Sequence, residues 1–179
     1  KSLEGSDTKV CTVISFPLGM DVPSVKCEAT KEAIEHGAQE IDLVLNVCAL
    51  KSGQYDINQE ELAAVSKVCH DNNVLLKVII ETPLLTEEQI VKACQLCEDN
   101  NVDIVKSSTG FKAMLPRSTS VEDIQLIRKS TKLTTGIKAA GGIRSYDDAL
   151  KMINAGATRI GASSGQAILD GLNEEKRKN

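Results

Sequence analysis

The 179-residue chain has no run approaching the roughly 18 apolar residues that a membrane-crossing helix needs. No charged, apolar, small-residue leader pattern opens it either. Both absences point to a cytoplasmic protein with no membrane partner. A basic excess is missing too: 21 Lys and Arg against 25 Asp and Glu give a net charge of -4. That balance argues against a broad nucleic-acid surface, while a local pocket for a phosphate stays open. The Lys176-Arg177-Lys178 run is offset by Glu174 and Glu175 and reads as a solvated helix end. No G-x-G-x-x-G fingerprint follows the first strand-like segment, which removes the usual signature of a dinucleotide crevice. No His, Cys and Asp cluster falls at metal-ligand spacing, so neither a metal nor another cofactor is expected. The two histidines, His36 before Gly37 and His70 before Asp71, fall near helix carboxyl ends, where the dipole favours a cation. The six cysteines are dispersed, and a chain of this length does not need disulfide staples. Cys94 and Cys97 form the one tight pair, and they share a helical face with Ile90 and Ala93, which assigns them to core packing.

What the chain does contain is a repeat of about thirty residues. Apolar, β-branched runs recur at Val10 to Ile14, Ile41 to Leu45, Val74 to Ile80, Val102 to Lys106, Gly136 to Ala139 and Arg159 to Ala162. Amphipathic helical stretches lie between them. One spans Thr86 to Asn100, opened by a Thr86/Gln89 capping box; another spans Ser145 to Ala155, with Ser145 and Asp148 at its start and Gly156 at its stop. Parallel strands need helical crossovers, so this alternation predicts an α/β fold built on a parallel sheet, either doubly wound or closed. Reactive-looking residues sit at the carboxyl ends of several successive strands, which favours a (β/α)8 TIM barrel. Eight units take about 250 residues, whereas six are legible here. The first strand begins within ten residues of Lys1. We therefore expect a single barrel domain over residues 1–179 that is incomplete at its amino end, because six units alone leave two unpaired sheet edges.

Two of the strand ends carry a lysine followed at once by glycine or small hydroxyl residues: Val105-Lys106-Ser107-Ser108-Thr109-Gly110 and Ile137-Lys138-Ala139-Ala140-Gly141-Gly142. An ammonium is seldom left at the inner end of an apolar strand without a use, although a lysine there can also snorkel to the surface. Two converging ammonium groups disfavour each other's charge, so one becomes a neutral nucleophile near pH 7. Asp42 is an acid inside the apolar run Glu40-Ile41-Asp42-Leu43-Val44, suited to an ion pair with a lysine of a neighbouring strand. Lys77 and Glu81, four apart, are expected on one strand face as an internal polar layer. Gly141-Gly142 and Gly161-Ala162-Ser163-Ser164-Gly165 look built for an anion, because turn N–H groups and a helix amino end bind phosphate after the last two strands of such barrels. Thr109-Gly110 adds a further donor and a position of close approach.

These segments together resemble the deoxyribose-phosphate aldolase family. The resemblance covers essentially the whole chain, including Cys11 to Gly19, which is similar to the family's third strand and following loop. It implies a metal-free class I aldolase that cleaves 2-deoxy-D-ribose 5-phosphate to glyceraldehyde 3-phosphate and acetaldehyde through a lysine Schiff base. Carried over by position, it implies that Lys106 forms the imine, that Lys138 lowers the pKa of Lys106, and that Asp42 moves protons through a water. Gly141, Gly142, Ser163 and Ser164 match phosphate-binding positions. A homodimer is also implied. The alternative from a different class is a non-catalytic sugar-phosphate binding module, or an inactive aldolase remnant. Such a module needs the glycine and serine turns but not the amine pair.

Overall fold

Each of the six apolar runs forms a strand in the computed structural model, which describes residue 3 and residues 5–178, apart from the side chains of Glu174, Lys176 and Lys178. The strands are β1 (Cys11–Ile14), β2 (Glu40–Val44), β3 (Leu75–Ile79), β4 (Ile104–Lys106), β5 (Gly136–Ala140) and β6 (Arg159–Gly161). All neighbours are parallel and the order is sequential, β1 through β6. Among the described residues seven α-helices follow the strands, two of them between β2 and β3: α1 (Pro23–Glu35), α2 (Val47–Lys51), α3 (Tyr55–Asp71), α4 (Glu87–Asp99), α5 (Val121–Ser130), α6 (Tyr146–Asn154) and α7 (Gly165–Lys178). The result is a curled half-barrel of the TIM type, in which β1 and β6 each have one neighbour among the described strands.

The period of two along each strand decides what faces where. Ile41, Leu43, Leu76, Val78, Val105, Ile137 and Ala139 point outward into one apolar cluster with Leu62, Val65, Ile90, Cys94, Cys97, Ile124 and Ile127 of the helices. The alternate positions point inward and carry the charges: Glu40, Asp42, Lys77, Lys106 and Lys138. Their register brings them level, with Asp42 beside Lys77, Lys106 beside Lys138, and Lys138 beside Arg159.

Helix ends follow local sequence chemistry. The expected boxes at Thr86/Gln89 and Ser145/Asp148 are both formed, and a third, Ser120/Asp123, opens α5. Gly156 follows α6 at φ +113°. Cys94 and Cys97 are fully buried, as their helical face indicated. His36 follows the last turn of α1. His70 lies in the last turn of α3 but does more than cap it: its Nε2 is 3.2 Å from Oδ2 of Asp103, tying α3 to the residue before β4. Of the terminal charges, Arg177 is exposed on α7, while the side chains of Glu174, Lys176 and Lys178 lie outside the described residues.

Candidate active site

Asp42 is the centre of the inward-facing charges and is 2% exposed. Its Oδ2 accepts from Lys106 Nζ at 2.8 Å and from Lys138 Nζ at 2.9 Å. Its Oδ1 accepts from Lys77 Nζ at 2.8 Å and lies 3.4 Å from Cys11 Sγ. Lys77 also reaches Glu40 Oε2 at 2.8 Å, and Glu40 takes both oxygens to Arg159 Nη1 at 2.9 and 3.0 Å. Four cations thus share two carboxylates, leaving the interior two positive charges in excess when every group is ionised.

That excess and the burial set the proton affinities. Burial alone would raise the Asp42 carboxyl, but the Lys106 charge and hydrogen bonds from Lys106, Lys77 and Lys138 outweigh it and hold Asp42 well below the usual carboxylate range. Glu40 is likewise held down, because its bonds from Lys77 and Arg159 overcome its burial. Burial also works against the charge of Lys77, yet hydrogen bonds to Asp42 and Glu40 raise its pKa. Lys106 goes the other way. Burial pushes its pKa down most, Asp42 opposes that, and the Lys138 charge adds to the lowering. Lys106 is also the more enclosed of the pair, its side chain 9% exposed against 17% for Lys138.

Above the two amines opens a cleft of about 490 Å³. Lys106, Thr109, Gly110, Lys138, Gly141, Gly142, Ser163 and Ser164 all line it. The two strand-end lysines and the glycine, threonine and serine candidates therefore meet at one place, with Asp42 beneath the lysines instead of in the wall. Gly141 and Gly142 have φ of +97° and +92°, and a Cβ on Gly142 would lie 2.5 Å from Ser118 Oγ, so this turn requires glycine. The backbone N–H groups of Gly142, Ser163 and Ser164 make no hydrogen bond to another described residue, which leaves them for a ligand.

Several assignments need correction. Glu81 does not share a face with Lys77, because β3 stops at Ile79 and the backbone turns left-handed at Glu81, φ 58°. Its Oε1 instead accepts from the Thr109 N–H at 3.0 Å. That bond, and the 3.0 Å bond from Gly110 N–H to Ser108 Oγ, occupy the backbone donors of Thr109-Gly110. Those two residues line the cleft but have no spare N–H for an anion. Lys112 and Arg144 also line it and carry positive charge. Arg144 follows Gly141-Gly142 closely enough to have been found; an exposed lysine such as Lys112, in a single 3-10 turn, carries no signal. Ser107, directly after Lys106, was also missed. Its Oγ accepts from Ala140 N–H at 3.0 Å and from Thr119 Oγ1 at 3.0 Å, tying the end of β4 to the end of β5 and so fixing the two lysines relative to each other. Among the described residues no group of three or more His, Cys, Asp or Glu is placed to hold a metal ion.

Residues 6–171 match the family model of the DeoC/LacD family aldolases. The chain belongs to that family. It is 52% identical to a deoxyribose-phosphate aldolase of Streptococcus suis over 171 residues, 96% of this chain and 76% of the relative. A solved structure described as "QR15, an Aldolase" superposes with a TM-score of 0.88 at 44% identity, covering 96% of this chain and 76% of that one. The deoxyribose phosphate aldolase of Aeropyrum pernix, described as a unique tetrameric structure, gives 0.86 at 30% identity, with 97% and 72% covered.

Proposed function

We propose that this aldolase cleaves 2-deoxy-D-ribose 5-phosphate reversibly to glyceraldehyde 3-phosphate and acetaldehyde, with Lys106 as the amine that carries the substrate. The observation that supports this most is the pair of lysines sharing one Asp42 oxygen at the floor of a glycine-lined cleft. Neutral Lys106 attacks the aldehyde carbon of the open-chain sugar, and loss of water gives a protonated imine. Asp42, through a water, takes the proton of the C3 hydroxyl. The C2–C3 bond breaks, its electron pair moves toward the iminium nitrogen, and glyceraldehyde 3-phosphate leaves an enamine behind. Protonation at C2 and hydrolysis of the imine release acetaldehyde and restore the amine. Lys138 disfavours the charged form of Lys106. Gly141, Gly142, Ser163 and Ser164 hold the phosphate, Thr109 and Gly110 shape the wall beside it, and remote binding of the phosphate orients the bond to be broken.

A module that only bound sugar phosphates would have no use for lysines gathered on a buried carboxylate. We take residues 1–179 as one barrel domain, in which closure would require two further strands between the outer edges of β1 and β6. A phosphorylated sugar is the partner this site fits, and we carry a homodimer in the cytoplasm as part of the same proposal. Among the described residues no helix is long and apolar enough to cross a membrane.

Borohydride reduction in the presence of deoxyribose 5-phosphate, followed by peptide mapping, tests the reading. A substrate-derived adduct on Lys106, absent in Lys106→Ala, is expected. An adduct on another lysine, or none on folded protein, would refute the assignment.

A further inference from the structure

The inner charges form an alternating ladder rather than a single ion pair. Arg159 on β6 binds Glu40 at the amino end of β2, Glu40 binds Lys77 on β3, Lys77 binds Asp42, and Asp42 binds Lys106 and Lys138. The lower half of this ladder lies outside the cleft: neither Glu40 nor Lys77 lines it. Glu40 cannot touch a substrate held between Lys106 and Ser164. Nevertheless Glu40 is buried, and its oxygens are committed to Lys77 and Arg159.

We propose that Glu40 is a positioning residue for the reaction, acting through Lys77 to orient Asp42 and to set how readily Lys106 gives up its proton. This rests on the reading of Lys106 as the imine-forming amine. Glu40 divides Lys77 between two carboxylates, so Lys77 occupies Asp42 Oδ1 and leaves Oδ2 to the two lysines of the cleft. It also supplies one of the two negative charges in an interior where cations are in excess. Removing that charge makes the interior more positive and disfavours protonated Lys106; removing Arg159 does the opposite.

The groups facing Lys106 come from every strand of the sheet. Asp42 and, one ladder step away, Glu40 belong to β2, Lys77 to β3, Lys138 to β5, Arg159 to the start of β6, and the Cys11 thiol to β1. Lys112 and Arg144 face it along the cleft, and Glu81 lies beyond the end of β3, beside Thr109. Of these, Glu40 and Arg159 are the members of the ladder that can be neutralised without altering a group that touches Asp42 or lines the cleft. Their opposed signs give a test that a merely structural role would not pass.

The experiment is competitive labelling of Lys106 with trace acetic anhydride over a series of pH values, read by peptide mapping, in the unaltered protein, Glu40→Gln and Arg159→Gln. Labelling follows the neutral amine and does not depend on turnover. The expected result is a labelling midpoint lowered by roughly half to one pH unit in Glu40→Gln, and raised by less in Arg159→Gln, whose side chain is 43% exposed and therefore screened. The acid limb of kcat/KM should move with it, with a lower kcat and little change in KM in Glu40→Gln. Midpoints that stay in place, or move in the same direction in both variants, would overturn the proposal. Should Glu40→Gln fail to fold, Arg159→Gln decides alone, an unmoved or lowered midpoint refuting it. Shifted labelling in a protein that forms no adduct with deoxyribose 5-phosphate would sink the aldolase assignment and leave the role of Glu40 in the ladder standing.

Discussion

Replacing Lys138 by leucine removes one of two ammonium groups that share Asp42 Oδ2. Their nitrogens lie 2.8 and 2.9 Å from that one oxygen, so they are no more than about 5.7 Å apart. Two unit charges at that distance repel by about 3 kcal/mol at an effective dielectric constant near 20, equivalent to roughly 2 pKa units. Solvent at the mouth of the cleft trims this. Asp42, freed from Lys138, would concentrate on Lys106 and act in the same direction as the lost repulsion. Burial, the largest cause of the lowered Lys106 pKa, remains in the variant. The Lys106 pKa should therefore rise by about 1 to 2 units without necessarily regaining its ordinary value.

On the acid limb the neutral fraction changes tenfold per unit, so imine formation there should fall about 10- to 100-fold in Lys138→Leu and recover about one to two pH units higher. Borohydride trapping against pH, with kcat/KM measured on the same samples, reads the shift. Protection of the cleft by inorganic phosphate, followed as thermal stabilisation, should survive, because the turn N–H groups are untouched. A loss of activity equal at all pH values, or an acid limb that does not move, would refute the electrostatic role of Lys138 and leave it a proton carrier or a packing residue.

Two further outcomes follow from the same geometry. A Cβ at Gly161 would stand 3.1 Å from Lys138 Cε and 3.0 Å from Ala140 Cβ, so Gly161→Ala should displace the Lys138 stem and lower kcat about tenfold with a smaller effect on KM; unchanged steady-state kinetics would show that the stem moves aside freely. Asp42 has a folded-state pKa below its unfolded value near 4, so its stabilisation is complete above that value and is lost as pH falls through the folded one. Asp42→Asn should cost about 3 to 5 kcal/mol at pH 7, since it leaves buried cations unpaired, and should flatten the acid side of a Tm-against-pH curve; a parallel curve would count against the ion-pair account.

Much of this site was legible because charge inside an apolar strand is anomalous. Asp42, Lys106 and Lys138 stand out against β-branched neighbours, and the glycine and serine turns follow the last two strands as phosphate turns do. Strands and caps were legible for a related reason: their signals are local, a period of two or a hydroxyl three residues before a carboxylate or amide. What the sequence hid depends on contacts between distant segments. Arg159 opens an edge strand and reads as an ordinary exposed cation, yet it meets Glu40 across the interior, 119 residues away in the chain. Glu81 looks like the partner of Lys77 until the chain turns left-handed beneath it, and the backbone donors of Thr109 and Gly110 look free until Glu81 and Ser108 take them.

Three lysines around one carboxylate have the same chemistry and different fates, and the sheet register explains why. Lys77 stands directly beside Asp42 and also reaches Glu40, so two anions hold its proton against its burial. Lys106 and Lys138 pair on the far side and divide a single oxygen, so each is compensated by half as much charge. An interior with cations in excess loses a proton most readily from an amine that is both weakly compensated and well enclosed. Lys106 meets both conditions; Lys138, nearer solvent, meets only the first. In the proposed reaction the nucleophile is set by its depth and by its pairing across neighbouring strands, and moving either lysine by one strand position would turn it to the outer face and dissolve the pair.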